Sequence, residues 1–139
     1  KNIKTNFFGF KNKQPIWSNN FLNELSKCKL GLNLSRGKPV KYYSSDRIAQ
    51  FMGNGIPTLI NYNTKYRDFF NNDEVIFYKN NNELIKKILF YKDKPKLLAK
   101  IGNNGKKKYH KYFDNKIICD FMINKNFNIN YKKKFFWDK

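Results

Sequence analysis

The sequence predicts an α/β fold: a mostly parallel sheet flanked by helices, followed by a helical C-terminal segment. Three observations carry this prediction. Short apolar stretches alternate between the two-residue period of strands and the 3.6-residue period of helices. Clusters of Gly, Pro and Asn punctuate them. Beyond residue 80 the pattern is helical throughout.

In chain order, IKTNFFGF at residues 3 to 10 reads as a strand stopping at Gly9, and a polar turn runs on through Pro15. Residues 19 to 27 read as a helix with Phe21, Leu22 and Leu25 on one face. CKLGLNLS, residues 28 to 35, alternates Leu30, Leu32 and Leu34 toward one side, which is the strand period. A loop with Gly37 and Pro39 leads to a helix from about Ser45 to Asn54, with Gly55 as its left-handed cap before Pro57. IPTLIN (56 to 61) and EVIFYK (74 to 79) are β-branched and aromatic, so both read as strands, with a short helix or irregular loop between them.

Three helices follow. Leu84, Ile85, Ile88 and Leu89 form one stripe behind an Asn82 N-cap. Pro95 opens the second helix, whose buried face is Leu97, Leu98, Ile101, Tyr109 and Phe113, with Gly102 and Gly105 weakening it midway. Asp114 or Asn115 caps the third, which carries Ile117, Ile118, Phe121 and Met122. In parallel α/β sheets, ligands bind beyond the carboxyl ends of the strands. The loops after Leu34, Ile60 and Phe77 are therefore expected on one rim.

At 139 residues the chain is the size of one domain, with residues 1–125 as the folded unit and 126–139 as a basic-aromatic tail. Its start at Lys1, without an initiator Met, predicts a processed or cut-out part of a longer protein. Aromatics at 18% and hydrophobics at 40% suffice for a core. Cys28 and Cys119, with no CxxC pattern, are expected to be inert core thiols in a reducing compartment. No transmembrane or signal-peptide pattern is present.

The formal net charge of +19 has two sources. Asn is about one residue in six, and Lys, Asn, Phe, Ile and Tyr are the residues AT-rich codons spell, so genome composition accounts for part of it. The remainder favours acidic partners: nucleic acid, a sugar nucleotide or an anionic membrane face. Nucleic acid is the weaker candidate, because the lysines are spread along the chain and no helix-turn-helix, zinc or RNP pattern appears. The tail interleaves Lys132 to Lys134 with Tyr131, Phe135, Phe136 and Trp137. Such a patch suits either a peripheral membrane contact or packing on another part of the longer protein.

The chemistry concentrates in KYYSSDRIAQFMGNGIPTLI, residues 41 to 60. Ser44, Ser45 and Asp46 are all good N-cap residues. The free N–H groups and dipole of a helix start attract an anion, and Arg47 in the first turn adds a planar fork suited to phosphate. A cation there is unfavourable unless an anion meets it or Arg47 pairs with Asp46 or Asp73. Asn33, Ser35 and Arg36 lie on the same predicted rim as candidate sugar or phosphate contacts. Lys41, Tyr42 and Tyr43 can clamp a phosphate, stack a base or join the core. Tyr78 and Glu83 read as fold residues, and His110 as a surface or interdomain residue. No paired-carboxylate, G-x-S-x-G, Walker A or D-x-D pattern marks a catalytic residue or metal, so the catalytic residue stays unknown and no metal is expected.

The ordered stretches LSKCKLGLNLSRG, SSDRIAQFMGNGIPTLI, YRDFF and DEVIFYKNNNELIKKI resemble the C-terminal domain of GT-B-fold group 1 glycosyltransferases, the CgeB-like branch above all. GKKKYHKYF resembles that family's closing motif, and the likeness spans residues 5 to 123. The resemblance implies a Rossmann-like domain that binds a nucleotide-diphosphate sugar without a metal. Transfer to a glycan or glycoconjugate, as in polysaccharide biosynthesis, would occur against an N-terminal domain on the cytoplasmic side. It places Arg47, with Ser44, Ser45 and Arg36, at the diphosphate, and Gln50 and Tyr43 at the nucleotide. Asn33, Ser35 and Lys41 fall at the sugar or its loop. Gly55 matches the glycine that lets the helix meet the next strand. Gln50 stands where the family pattern has Glu, which removes a charge-assisted bond to ribose and leaves an inactive, partner-binding domain as an alternative.

Overall fold

The computed structural model describes residues 3–10, 12–35, 37–43, 45–127, 129 and 134–137. Strands β1 (Gly31–Asn33), β2 (Thr58–Asn61) and β3 (Ile76–Tyr78) form a parallel sheet in the order β1-β2-β3. Helices α1 (Ser18–Ser26), α2 (Asp46–Gly53), α3 (Asn81–Tyr91), α4 (Pro95–Phe113) and α5 (Asn115–Asn126) surround it. Two 3-10 turns, Tyr62–Thr64 and Tyr66–Asp68, connect β2 to β3. This is an α/β, Rossmann-like arrangement with a helical C-terminal segment.

The register Leu32↔Leu59↔Ile76 puts those three side chains on one face, and Asn33↔Ile60↔Phe77 puts the next three on the other. The first face packs Leu59, Ile76 and Tyr78 with Leu98 and Ile101 of α4, flanked by Leu84, Ile88 and Tyr91 of α3. The second packs Ile60, Val75 and Phe77 with Ile48 and Met52 of α2 and with Tyr66 and Phe70. Each fully buried Ile, Leu or Val contributes about 2 kcal/mol. Both faces are covered, which is why β3 is buried at every position.

Helix α4 passes beneath the amino ends of β2 and β3 and so serves both cores. Gly102 and Gly105 make that crossing possible: a Cβ at Gly102 would overlap the Gly55 carbonyl oxygen, and one at Gly105 the Glu74 carbonyl oxygen. They are contact points for backbone rather than weak places in the helix. Gly55 has φ +76°, which only glycine adopts without strain. Asn80, not Asn82, caps α3, its side chain accepting from Glu83 N–H, while a Glu83 carboxylate oxygen accepts from Lys79 N–H at 2.8 Å. Asp114 caps α5.

Several expectations fail on specific residues. Residues 3 to 10 form no strand; Phe7, Phe8 and Phe10 are exposed, and adjacent Phe7 and Phe8 would need a sheet covered on both faces where no helix covers them. Leu34, Ile85, Leu97 and Met122 are exposed rather than core. Cys28 is half-buried, its burial raising the thiol pKa, but Cys119 is exposed and is no core thiol. Tyr78 is core, as expected, and burial pushes its phenol pKa up. In the tail, Phe136 stacks on Tyr112 with ring centroids 4.2 Å apart, and Trp137 stacks on Phe113 at 5.5 Å. Phe135 meets Phe121 edge-on. The tail aromatics therefore fold back onto this domain's own helices, while Tyr131, Lys132 and Lys133 lie outside the described residues.

Candidate functional site

The strand period sets the site. Gly31 and Asn33 point to the same side of β1, toward α2, which runs back across them. The Phe51 ring covers Gly31 so closely that a Cβ there would overlap it. Six residues earlier on the helix, Ser45 covers Asn33, its Oγ donating to Asn33 Oδ1 at 3.0 Å. Ser45 holds the N-cap position with extended backbone (φ −132°, ψ 162°), yet its hydroxyl makes no capping bond because it is turned to Asn33. Among the described residues, the N–H groups of the first turn of α2 are thus left without a side-chain cap.

Asn33 is only 1% exposed, and its Nδ2 is buried with no hydrogen-bond partner among the described residues. Ser35 Oγ, two residues on, is in the same condition. Turning the amide over only changes which of its two polar atoms is left over. An unpartnered buried polar group costs about 1–3 kcal/mol. Two such groups lie beside the start of α2, among the described residues.

Arg47 closes the same corner. It pairs with neither Asp46 nor Asp73; its exposed guanidinium donates from Nη2 to the Leu34 carbonyl at 2.6 Å, reaching from the helix back to the end of β1. An anion at this corner would meet the guanidinium and the positive end of α2 together. The structure thus brings Asn33, Ser45 and Arg47 to one point, with Ser35 in the adjoining loop.

Other candidates are less directly engaged. Gln50 lies one turn along α2 from Arg47, half-buried, and its side chain makes no hydrogen bond among the described residues. No bond among the described residues joins Lys41 or Tyr43 to the cluster; the Lys41 ammonium lies 4.8 Å from the Tyr42 ring. Arg36 and Ser44 lie outside the described residues. His110 is exposed, as expected, with Nε2 3.0 Å from the Gly53 carbonyl oxygen and Nδ1 3.7 Å from Asp114. Among the described residues no cluster of His, Cys, Asp or Glu could hold a metal ion.

Tyr42 and Asp68 form a pairing that sequence reading missed. Tyr42 adopts φ +57°, donates its N–H to Thr64 O at 2.8 Å and its hydroxyl to Asp68 at 2.6 Å, and rests its ring 5.0 Å from Phe69. The hydrogen bond to Asp68 leads the causes that raise the Tyr42 pKa. These contacts tie the loop before α2 to the β2–β3 connection. Beside them lies a cavity of about 290 Å³ walled by Tyr42, Ile48, Tyr66, Phe69, Phe70 and Phe113, among others.

Comparison with family models matches residues 3–124 to a glycosyl transferase-like family. The chain belongs to this family. The match takes in all three strands and α1 to α4, ends within α5 and leaves the tail outside. Searches of curated proteins and of solved structures return no match. As a glycosyl transferase-like domain, its small parallel sheet with flanking helices is consistent with the Rossmann-like half of a GT-B fold.

Proposed function

We propose that the chain is the donor-binding half of a metal-independent GT-B glycosyltransferase of the CgeB-like branch. It would hold a nucleotide-diphosphate sugar for transfer to a glycan or glycoconjugate, as in polysaccharide biosynthesis on the cytoplasmic side, with the acceptor on an N-terminal domain. The observation that supports this reading is the buried Asn33 amide at the carboxyl end of β1, whose oxygen is joined to the N-cap of α2 under Arg47 while its nitrogen has no partner among the described residues. Membership of a glycosyl transferase-like family supplies the chemistry such a site would serve.

In this reading the diphosphate takes the corner between the α2 amino end and Arg47, with Ser44 and Arg36 nearby in sequence. Arg47 gives up the Leu34 carbonyl to meet it. Guanidinium and helix dipole stabilise the charge that develops on the leaving diphosphate, the task a metal performs in other transferases. Asn33 and Ser35 supply neutral donors and acceptors to the sugar or its phosphate, with Lys41 at the loop. Gln50 bonds the ribose hydroxyls without a charge, and Tyr43 lies on the nucleotide side.

Calorimetric titration with a panel of nucleoside diphosphates and their sugars tests this. Saturable binding of one base, weakened at least about tenfold by Arg47→Ala and less by Gln50→Ala, is expected, since a charged hydrogen bond contributes about 1.5–3 kcal/mol. Gln50 in place of a carboxylate favours a second reading, an inactive interaction domain, which predicts no binding to any member of the panel.

A further inference from the structure

We propose that the donor is an acidic sugar nucleotide, a uronate whose carboxylate is bound by Arg67 and Lys79 over the Tyr62 ring. The inference rests on the donor-site reading and names the sugar class within it. Asn33, Ile60 and Phe77 lie in one row across the sheet, on the face that α2 covers. Two residues beyond Ile60 and Phe77 come Tyr62 and Lys79, which the strand period returns to that face just past the carboxyl ends of β2 and β3. Their contacts agree. The Tyr62 ring meets Phe77 edge-on with centroids 6.4 Å apart, and the Lys79 ammonium lies 5.4 Å from the Tyr62 centroid. Arg67, in the 3-10 turn Tyr66–Asp68, brings its guanidinium to 4.4 Å from the same centroid. Ser35, two residues beyond Asn33, is the residue whose buried hydroxyl lacks a partner among the described residues.

Two cations thus converge on one aromatic ring, and among the described residues neither makes an ion pair. The acids nearest in sequence are engaged elsewhere. One Glu83 carboxylate oxygen accepts from the Lys79 backbone N–H and the other lies 3.5 Å from the Lys87 ammonium, while Asp68 accepts the Tyr42 hydroxyl. The ring attracts each cation but leaves two like charges facing no counter-charge, which favours an anion beside them. A carboxylate accepts from the planar guanidinium fork and from an ammonium together. Distance selects what carries it. Arg47 reaches the end of β1 through the Leu34 carbonyl, and β2 lies one strand spacing away, about 4.8 Å. A single hexose ring attached to a diphosphate at the Arg47 corner spans that gap and presents its far-side carboxylate to Arg67 and Lys79.

Calorimetric titration of the full chain tests this with nucleotide sugars in pairs that differ only in a carboxylate at C6: UDP-glucose with UDP-glucuronate, UDP-galactose with UDP-galacturonate, and GDP-mannose with GDP-mannuronate. In at least one pair the uronate is expected to bind at least about tenfold tighter, the contribution of one charged hydrogen bond. Arg67→Gln/Lys79→Gln should bring that ratio to about one. Lys86→Gln/Lys96→Gln removes as much charge from exposed positions on α3 and α4 and should leave the ratio as it is. That control separates a bound carboxylate from the general attraction of a chain carrying +19. Circular dichroism of each variant confirms that it is folded. Binding of neutral and acidic members with equal affinity overturns the inference and leaves the donor-site reading standing. A preference that survives Arg67→Gln/Lys79→Gln, or that disappears in Lys86→Gln/Lys96→Gln, overturns it equally. Binding of no member of any pair overturns the donor-site reading and this inference with it.

Discussion

The two ends of α2 were finished differently. At its carboxyl end everything is closed by the chain itself: Gly55 turns left-handed, Ile56 N–H bonds the Phe51 carbonyl at 2.8 Å, and Gly102 of α4 lies against the Gly55 carbonyl. His110 adds a 3.0 Å contact to the Gly53 carbonyl. At its amino end, among the described residues, the Ser45 hydroxyl makes no capping bond, Asn33 and Ser35 keep buried polar atoms without partners, and Arg47 is held by one backbone carbonyl. One end holds the fold together; the other carries unmet polar capacity. The comparison teaches that closed and unmet hydrogen bonding separate along a helix of eight residues, as the proposed function requires.

Substitutions at the two ends should therefore move different observables. The largest stability loss is expected for Gly102→Ala, whose methyl collides with backbone that cannot rotate away. About 3 kcal/mol should disappear from the unfolding free energy in urea. Gly55→Ala has room for its methyl, with the nearest atom 3.5 Å away, but forces a left-handed alanine. It should cost about 1–2 kcal/mol in the same measurement. Neither change should alter the affinity of folded protein for the nucleotide of the proposed function.

Asn33→Leu reverses the pattern. It gives up the Ser45 bond and adds volume, but it also removes a buried amide nitrogen that has no partner among the described residues and keeps the branched shape, so stability should stay within about 2 kcal/mol of the original. Nucleotide binding should be lost. A Leu variant destabilised by about 3 kcal/mol would make Asn33 a structural residue and erase the contrast.

The smallest effect lies far from either end. Backbone hydrogen bonding from Lys79 holds the Glu83 pKa below its ordinary 4.5. A depressed carboxyl contributes stability that is present above its unfolded pKa and is lost as pH falls through the folded value. Glu83→Gln should lower stability slightly at neutral pH and leave it nearly unchanged once the pH is below the folded pKa, so that the loss on acidification is a little shallower; the effect is small because the half-exposed side chain is screened by solvent. Urea midpoints across that pH range check this.

Sequence made the local features legible. Ser45 to Arg47 as a helix start, Gly55 as a left-handed cap, Pro95 as a first turn and Asp114 as an N-cap each depend on a few neighbouring residues. What depended on partners distant in the chain was not legible. The leucines of CKLGLNLS advertise an apolar alternation, yet Gly31 and Asn33 are the fully buried positions, because Phe51 and Ser45 of α2 lie over them. Asn33 was readable as a rim residue but not as an orphaned one. Gly102 and Gly105 read as weak helix formers until the carbonyls of Gly55 and Glu74 are placed against them. The Tyr42–Asp68 bond spans 26 residues and leaves no local signature. The failed strand at residues 3 to 10 has the same root: strand composition says nothing about whether a sheet edge receives it.

The measurement that tests the central contrast most directly is thermal unfolding of the wild type, Asn33→Leu and Gly55→Ala, each with and without the nucleoside diphosphate that the proposed calorimetric panel would select. At about a hundredfold its Kd, the ligand should raise Tm of the wild type by roughly 8 °C. Gly55→Ala should start lower and rise by the same amount, and Asn33→Leu should start near the wild type and not rise. A full ligand shift in Asn33→Leu, or its loss in Gly55→Ala, would contradict the assignment of function to the amino end of α2 and structure to its carboxyl end.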